Sequence, residues 1–325
     1  MTAIRLVLNL FIVLLITPSV FAAGRTGFPI LMELMEPRTL ALSGAVVSDY
    51  GHPDAVTINP ACAAGSRGQF GTAFARHILD IWSGTLAASH PVNDRIIIGG
   101  QLSAFHYGEF NETRIGEGET GQTFTAAEYL FVGYAAGRIT DRINWGGAAK
   151  YVWGTIDDKR ASGIALDLGM TFDVQWEQVR LGLSARNIGS QLDGYGDDTD
   201  PLPTELIIGG SKQLRHLPLT LNLVGIISRS GEGEWEADFL PGSPGISFAA
   251  SGEFKIQQED AEYPLYMRIG YRSRGQDMQV GNSNDFLAGF SFGVGTDIHR
   301  LQIHYAFAPM GALGDVHRFG IVGIL

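Results

Sequence analysis

The sequence predicts an all-β fold: a transmembrane outer-membrane antiparallel β-barrel of about 14 strands, preceded by an N-terminal plug. Three observations predict it. Hydrophobic residues recur with period two from Gln69 to the end, the spacing of strands with two unlike faces. Connections alternate between short and long, as in barrels with tight periplasmic turns and longer external loops. The chain also opens with a secretory signal. Composition excludes the competing classes. The 325 residues are 45% hydrophobic, too many for a disordered chain. No internal apolar run approaches the length of a membrane helix. A net charge of −11 without a basic cluster argues against a nucleic-acid partner. The single cysteine, Cys62, rules out an intramolecular disulfide and reads as a small buried hydrophobe.

Taken in order, residues 1–22 read as a signal peptide. Arg5 precedes the apolar run Leu6–Ile16, Thr17-Pro18-Ser19 break it, and Val20 and Ala22 suit a cleavage site. Position 23 is Ala rather than Cys, so no lipoprotein anchor is expected. Residues 23–68 alternate poorly and read as the plug. Residues 69–325 form the barrel, with strands near 69–76, 80–90, 95–107, 123–138, 142–156, 160–174, 177–187, 203–213, 217–229, 245–258, 263–273, 285–296, 298–308 and 316–325. Tight turns fall at 91–94, 140–141, 175–176, 215–216 and 297. Longer loops span 108–122, 188–202, 230–244, 274–284 and 309–315. Trp145 and Trp153 share one apolar face, eight residues apart. At ~3.3 Å per residue and a tilt near 40° they stand roughly 20 Å apart in height, close to the span between two aromatic girdles. The closing strand places Phe319, Ile321 and Leu325 on one face, like a barrel-assembly signal.

Candidate chemistry is sparse. Gly116-Glu117-Gly118-Glu119-Thr120-Gly121 matches a phosphate-loop pattern. No helix follows, however, and its glutamates repel phosphate. Gly289-Phe290-Ser291-Phe292-Gly293 matches a nucleophile elbow, but it lies inside an alternating strand. A hairpin centred near Asp297 would set Ser291 beside His304 in the lumen, read here as a polar contact. The same parity sends Lys150, Asp167, Arg180, Arg186, Glu253, Lys255, Arg268 and Arg272 inward, as a salt-bridged interior around a plug. The external loops hold the acidic excess: Glu109, Glu112, Glu117 and Glu119, then Asp193, Asp197, Asp198 and Asp200, then Glu232, Glu234, Glu236 and Asp238. Their spacing matches no EF-hand loop. No catalytic residue, metal ligand or cofactor site is assigned. With the wall facing outer-membrane lipid and the plug filling the lumen, the loop anchors Phe110, Tyr195, Leu202, Trp235 and Phe239 are candidates for holding a partner.

The plug carries a family resemblance. Asp54-Ala55-Val56-Thr57-Ile58-Asn59-Pro60-Ala61 resembles the Asn-Pro-Ala element in the plug of FadL-like barrels, a tight turn in which Asn caps its own backbone and Pro fixes φ. Further stretches resemble the PorV/PorQ family, on its PorQ-like side: Phe105–Thr113, Ser162–Gly169, Arg186–Leu192, Leu202–Pro218, Leu287–Gly293 and His317-Arg318-Phe319. The departures are Cys62 after Asn-Pro-Ala, Ser43-Gly44 where a double glycine is common, and Leu325 in place of a terminal aromatic. The resemblance implies a FadL-like barrel of the type IX secretion system. It would anchor a PorZ-like surface protein in an attachment complex with PorV-like and PorU-like proteins. The plug positions it singles out are Gly44, Asp54, Asn59, Pro60 and Ala61. The alternative is a FadL-like transporter of hydrophobic small molecules, with Phe28, Leu31, Leu34 and Leu40 lining a pocket.

Overall fold

In the computed structural model, the described residues are 27–77, 80–114, 116, 118–174, 178–228, 245–257, 262–273, 287–309 and 314–325. The signal segment 1–22 and the loop 230–244, with Trp235 and Phe239, lie outside them. The strands are β1 (Gln69–Arg76), β2 (Trp82–Pro91), β3 (Ile96–Arg114), β4 (Gly118–Thr140), β5 (Ile143–Ile156), β6 (Lys159–Val174) and β7 (Val179–Asp193). They continue as β8 (Glu205–Gln213), β9 (Leu219–Ser228), β10 (Gly245–Ile256), β11 (Leu265–Arg272), β12 (Phe290–Ile298), β13 (Leu301–Pro309) and β14 (Asp315–Ile324). Each pairs antiparallel with its neighbours in sequence, and β14 closes on β1 with Phe74 opposite Phe319. Closure leaves no open edge around the wall, which is what a sheet in lipid requires.

Alternation decides which side faces what. Phe70, Leu86, Leu102, Phe131, Tyr151, Leu223 and Phe319 point outward and are each at least two-fifths exposed. Wall residues of the opposite parity, among them Ser83, Ser103, Asp167, Arg186, Arg268 and Arg318, point inward and are buried. An apolar outside and a polar inside invert a soluble protein and match a barrel in a bilayer. No helix among the described residues is long and apolar enough to cross a membrane.

The wall is uneven. β3 and β4 run 19 and 23 residues, whereas β1 and β11 run 8 each. The expected loop 108–122 is therefore mostly strand. Gly108, at φ 86°, sits in a register shift between His106 and Glu109. That irregularity re-aims the pair instead of ending it, and the β-formers Phe110, Thr113, Thr123 and Phe124 carry it on. The expected loop 188–202 likewise begins as strand up to Asp193. Here Asn187, at φ 56°, bulges opposite Asp167, whose Oδ1 accepts the Asn187 backbone N–H at 2.7 Å.

Candidate functional site

Residues 27–68 fill the lumen with short turns and one short helix, α1 (Pro37–Ala41). The segment begins at the loop end, where the Gly27 N–H donates to Pro201 O. It leaves at the opposite end, where Gly68 O accepts from Leu325. Among the described residues the lumen holds two apolar clusters, one running from Phe28 at the loop end to Ile97 and Ala136 near the turns, the other backing a charged lattice.

The lattice centres on Arg38 of α1. Its guanidinium lies 2.7 Å from Asp49, 3.3 Å from Asp54 and 3.1 Å from Glu253 on β10. Glu253 also accepts from Arg268 at 2.5 Å, and Arg268 lies 3.3 Å from His304 Nδ1. Two further wall arginines hold the plug. Arg318 donates to Glu33 at 2.8 Å, and Arg186 pairs with Glu205 at 2.7 Å while donating to Thr57 O at 3.0 Å. Lys150 and Asp167 pair inward at 2.6 Å, and Arg180 pairs with Asp173 at 2.6 Å, partly exposed. Most of the predicted lumen charges are thus interior and paired. Lys255 faces the turn end, exposed, over the Tyr266 ring. Arg38, Asp49 and Glu33 are absent from the sequence candidates: the wall partners of Arg38 and Glu33 are more than 200 residues away, and the Arg38–Asp49 pair spans an irregular segment with no period to align it.

The Asn-Pro-Ala turn behaves as its chemistry demands. Asn59 is fully buried and its Oδ1 accepts the Ala61 N–H at 3.0 Å. Its amide donates to Val47 O at 2.6 Å and to Met170 O on β6 at 3.2 Å. The turn lies directly on the wall. A Cβ at Gly169 would overlap Asn59 Oδ1, and one at Gly146 would overlap Ala61. Gly44 turns at φ 74° against Leu34. Asp54 sits between Arg38 and His52: against the cost of burial, the Arg38 charge and a hydrogen bond from His52 hold its carboxyl below the usual range. Partly buried Glu36 is pushed up to about 7, by burial first and by the Asp54 charge second, with Arg318 opposing. Cys62 is a buried free thiol pointing at Val46 O, and burial raises its pKa.

The loop end of the first cluster is an aromatic seat. Phe28, 2% exposed, carries a left-handed backbone at φ 58°. Its ring rests on the bare backbone of Gly154 and Gly163, and Tyr195 covers the first of these. Leu31, Leu130, Val152 and Leu202 surround it. The carboxylate of Glu128 accepts the Ile30 N–H at 2.8 Å just below. Leu202, at 4% exposure, and Tyr195 therefore pack onto the plug, while Phe110 stands out on the wall extension, 41% exposed and stacked on Phe124 at 5.4 Å. Burial and the Glu128 charge push the Tyr195 hydroxyl up to about 12. Leu34 and Leu40 belong to the second cluster, apart from Phe28 and Leu31.

The serine and histidine do not meet. Ser291 lies opposite Gly270, and its Oγ is 2.6 Å from Ser43 Oγ and donates to Ala41 O. His304 lies opposite Gly295, four residues further along β12, or roughly 13 Å. The expected juxtaposition fails because the hairpin turns at 299–300 rather than at Asp297. No cluster of metal-ligating side chains occurs among the described residues.

No family model matches the chain, and no curated protein matches it by sequence. Solved structures do. The toluene transporter TbuX of Ralstonia pickettii is 14% identical with a TM-score of 0.55, over 90% of this chain and 98% of that one. The toluene transporter TodX of Pseudomonas putida is 12% identical with a TM-score of 0.54, over 93% and 98%. A FadL homologue of Pseudomonas aeruginosa is 11% identical with a TM-score of 0.53, over 94% and 100%. Identities this low establish the fold alone: the chain is a closed, plugged outer-membrane β-barrel of the FadL-like architecture.

Proposed function

We propose that the chain is an outer-membrane conduit for hydrophobic small molecules. The observation that carries this reading is the loop-end seat. The aromatic ring filling it comes from the plug, through a residue held in an uncommon left-handed conformation. A hydrophobic molecule of similar size competes for the same apolar walls, and its entry frees the start of the plug. The architecture shared with TbuX and TodX, both described as toluene transporters, supports the same class of cargo. The test compares uptake of labelled toluene by intact cells carrying the wild-type barrel, the Gly163→Val barrel or none. The added valine side chain crowds the Phe28 seat, so uptake by that variant should fall to that of cells without the barrel. Equal uptake by all three sinks the reading.

A second reading has its own observation. The β3–β4 extension stands beyond the rim with Phe110 exposed and Glu109, Glu112 and Glu119 beside it. This supports a surface-protein anchor of the PorV/PorQ kind, with Trp235 and Phe239, outside the described residues, as further candidates from the sequence. Pull-down of the intact barrel from membranes tests it. Repeated recovery of the barrel alone ends it.

A further inference from the structure

The β3–β4 extension differs from every other part of the sheet. β2 stops pairing with β3 at Trp82–His106, and β5 begins pairing with β4 only at Ala126–Ile156. Beyond those pairs, and the Asp157 N–H that Thr125 O accepts, Glu109–Arg114 and Gly118–Phe124 pair only with each other among the described residues. Six residues at ~3.4 Å carry this ribbon roughly 20 Å past the rim. Nearly all its described residues are exposed, on both faces. An isolated two-stranded ribbon is marginal in water, and its outer edges present unpaired backbone groups. Among the described residues the ribbon thus has both edges free above the rim, whereas the upper part of β7 (188–193) still pairs with β6 along one edge. The ribbon's charge selects what can approach. Three carboxylates, Glu109, Glu112 and Glu119, stand against Arg114, which Glu112 already holds at 3.1 Å. A second copy of the same ribbon meets like charge, whereas a basic segment meets complementary charge.

We propose that this ribbon is a strand-addition site, in which an extended, basic segment of a surface protein lies along a free edge and continues the sheet. Backbone hydrogen bonds hold the segment, Phe110 and Phe124 offer an apolar step, and the glutamates select charge. The inference deepens the surface-partner reading and rests on it for the protein that supplies the segment. The two fail separately: an empty pull-down from cells ends that reading, and the selection below decides strand addition.

A displayed library of random peptides, roughly twelve residues long so that a six-residue strand can form at any offset along the ribbon, is panned against the full-length barrel in detergent. Counter-selection uses a barrel whose ribbon is cut back by joining His106 to Ala127 through a tight turn. A second variant, Glu112→Lys with Glu119→Lys, keeps the ribbon and changes only its charge. Enriched peptides should be net basic and free of proline. They should weaken by about tenfold or more with a central proline or on the doubly substituted barrel. Hydrogen exchange in 109–125 should slow when they bind. The proposal is overturned by no enrichment, by peptides that are neutral, acidic or proline-tolerant, by protection elsewhere, or by barrels that dimerise through the ribbon in sedimentation.

Discussion

The two halves of the plug are held by different physics. Around Arg38 the contacts are ion pairs, within the plug to Asp49 and Asp54 and across the lumen to Glu253, 215 residues away in sequence. Around Phe28, the contacts are a ring on glycine backbone under Tyr195 and Leu202. Removing one member of a buried charge lattice strands its partners, whereas one apolar group can replace another with little loss. The middle of the plug is thus fixed and its start is exchangeable. This difference is why the proposed cargo enters at the loop end.

The largest effect should come from breaking the fixed half. Arg38→Ala leaves Asp49, Asp54 and Glu253 without their shared cation, and should cost about 3–5 kcal/mol in urea unfolding of the refolded barrel. The same variant should raise single-channel conductance in planar bilayers. Unchanged stability would mean that the lattice does not anchor the plug. Phe28→Ala should come next, at about 3 kcal/mol or somewhat less, since relaxation recovers part of the lost packing. By vacating the seat it should also tighten toluene binding by about tenfold, because the competent state no longer has to be opened first. If binding weakens instead, Phe28 is a binding residue and not a competitor.

A pH series sharpens the comparison further. Glu36 is held neutral by burial and by Asp54, with a pKa of about 7 against 4.5 when unfolded. Between these values the folded state keeps a proton that the unfolded state has lost, so stability falls as pH rises through the window. Glu36→Gln should abolish that fall, a gain on the order of 2 kcal/mol at pH 8 and none at pH 4. Asp54 works in the opposite sense. Its carboxyl is depressed by Arg38 and His52, so the stability it contributes is present at neutral pH and lost on acidification. The smallest effect belongs to the surface: Glu112→Gln on the exposed ribbon should move unfolding by less than about 0.5 kcal/mol.

Much of the architecture was legible because a strand's period of two is a local property. Ile164, Leu166 and Leu168 alternate with Ala165, Asp167 and Gly169 whatever lies opposite, and fourteen such runs define the barrel. Asn59-Pro60-Ala61 was legible for the same reason, since Asn caps a backbone N–H two residues away. Strand ends were less so. Gly108 and Asn187 interrupt the pattern in sequence, but in space they are bulges that let β3 and β7 run on.

What the sequence by itself determined is inside and outside: the parity of each strand, the acidic excess, the polar lumen and the plug that precedes it. Only the tertiary structure decided which residues meet. Register is a sum over turns and bulges, so two residues of extra pairing keep Ser291 from His304 and send it to Ser43 instead. The Arg38–Glu253 pair and the Phe28 seat on Gly154 and Gly163 join segments separated by more than a hundred residues. Their closeness follows from how the closed wall wraps the plug, and a contact across a closed wall has no period that a chain read in one dimension can reveal.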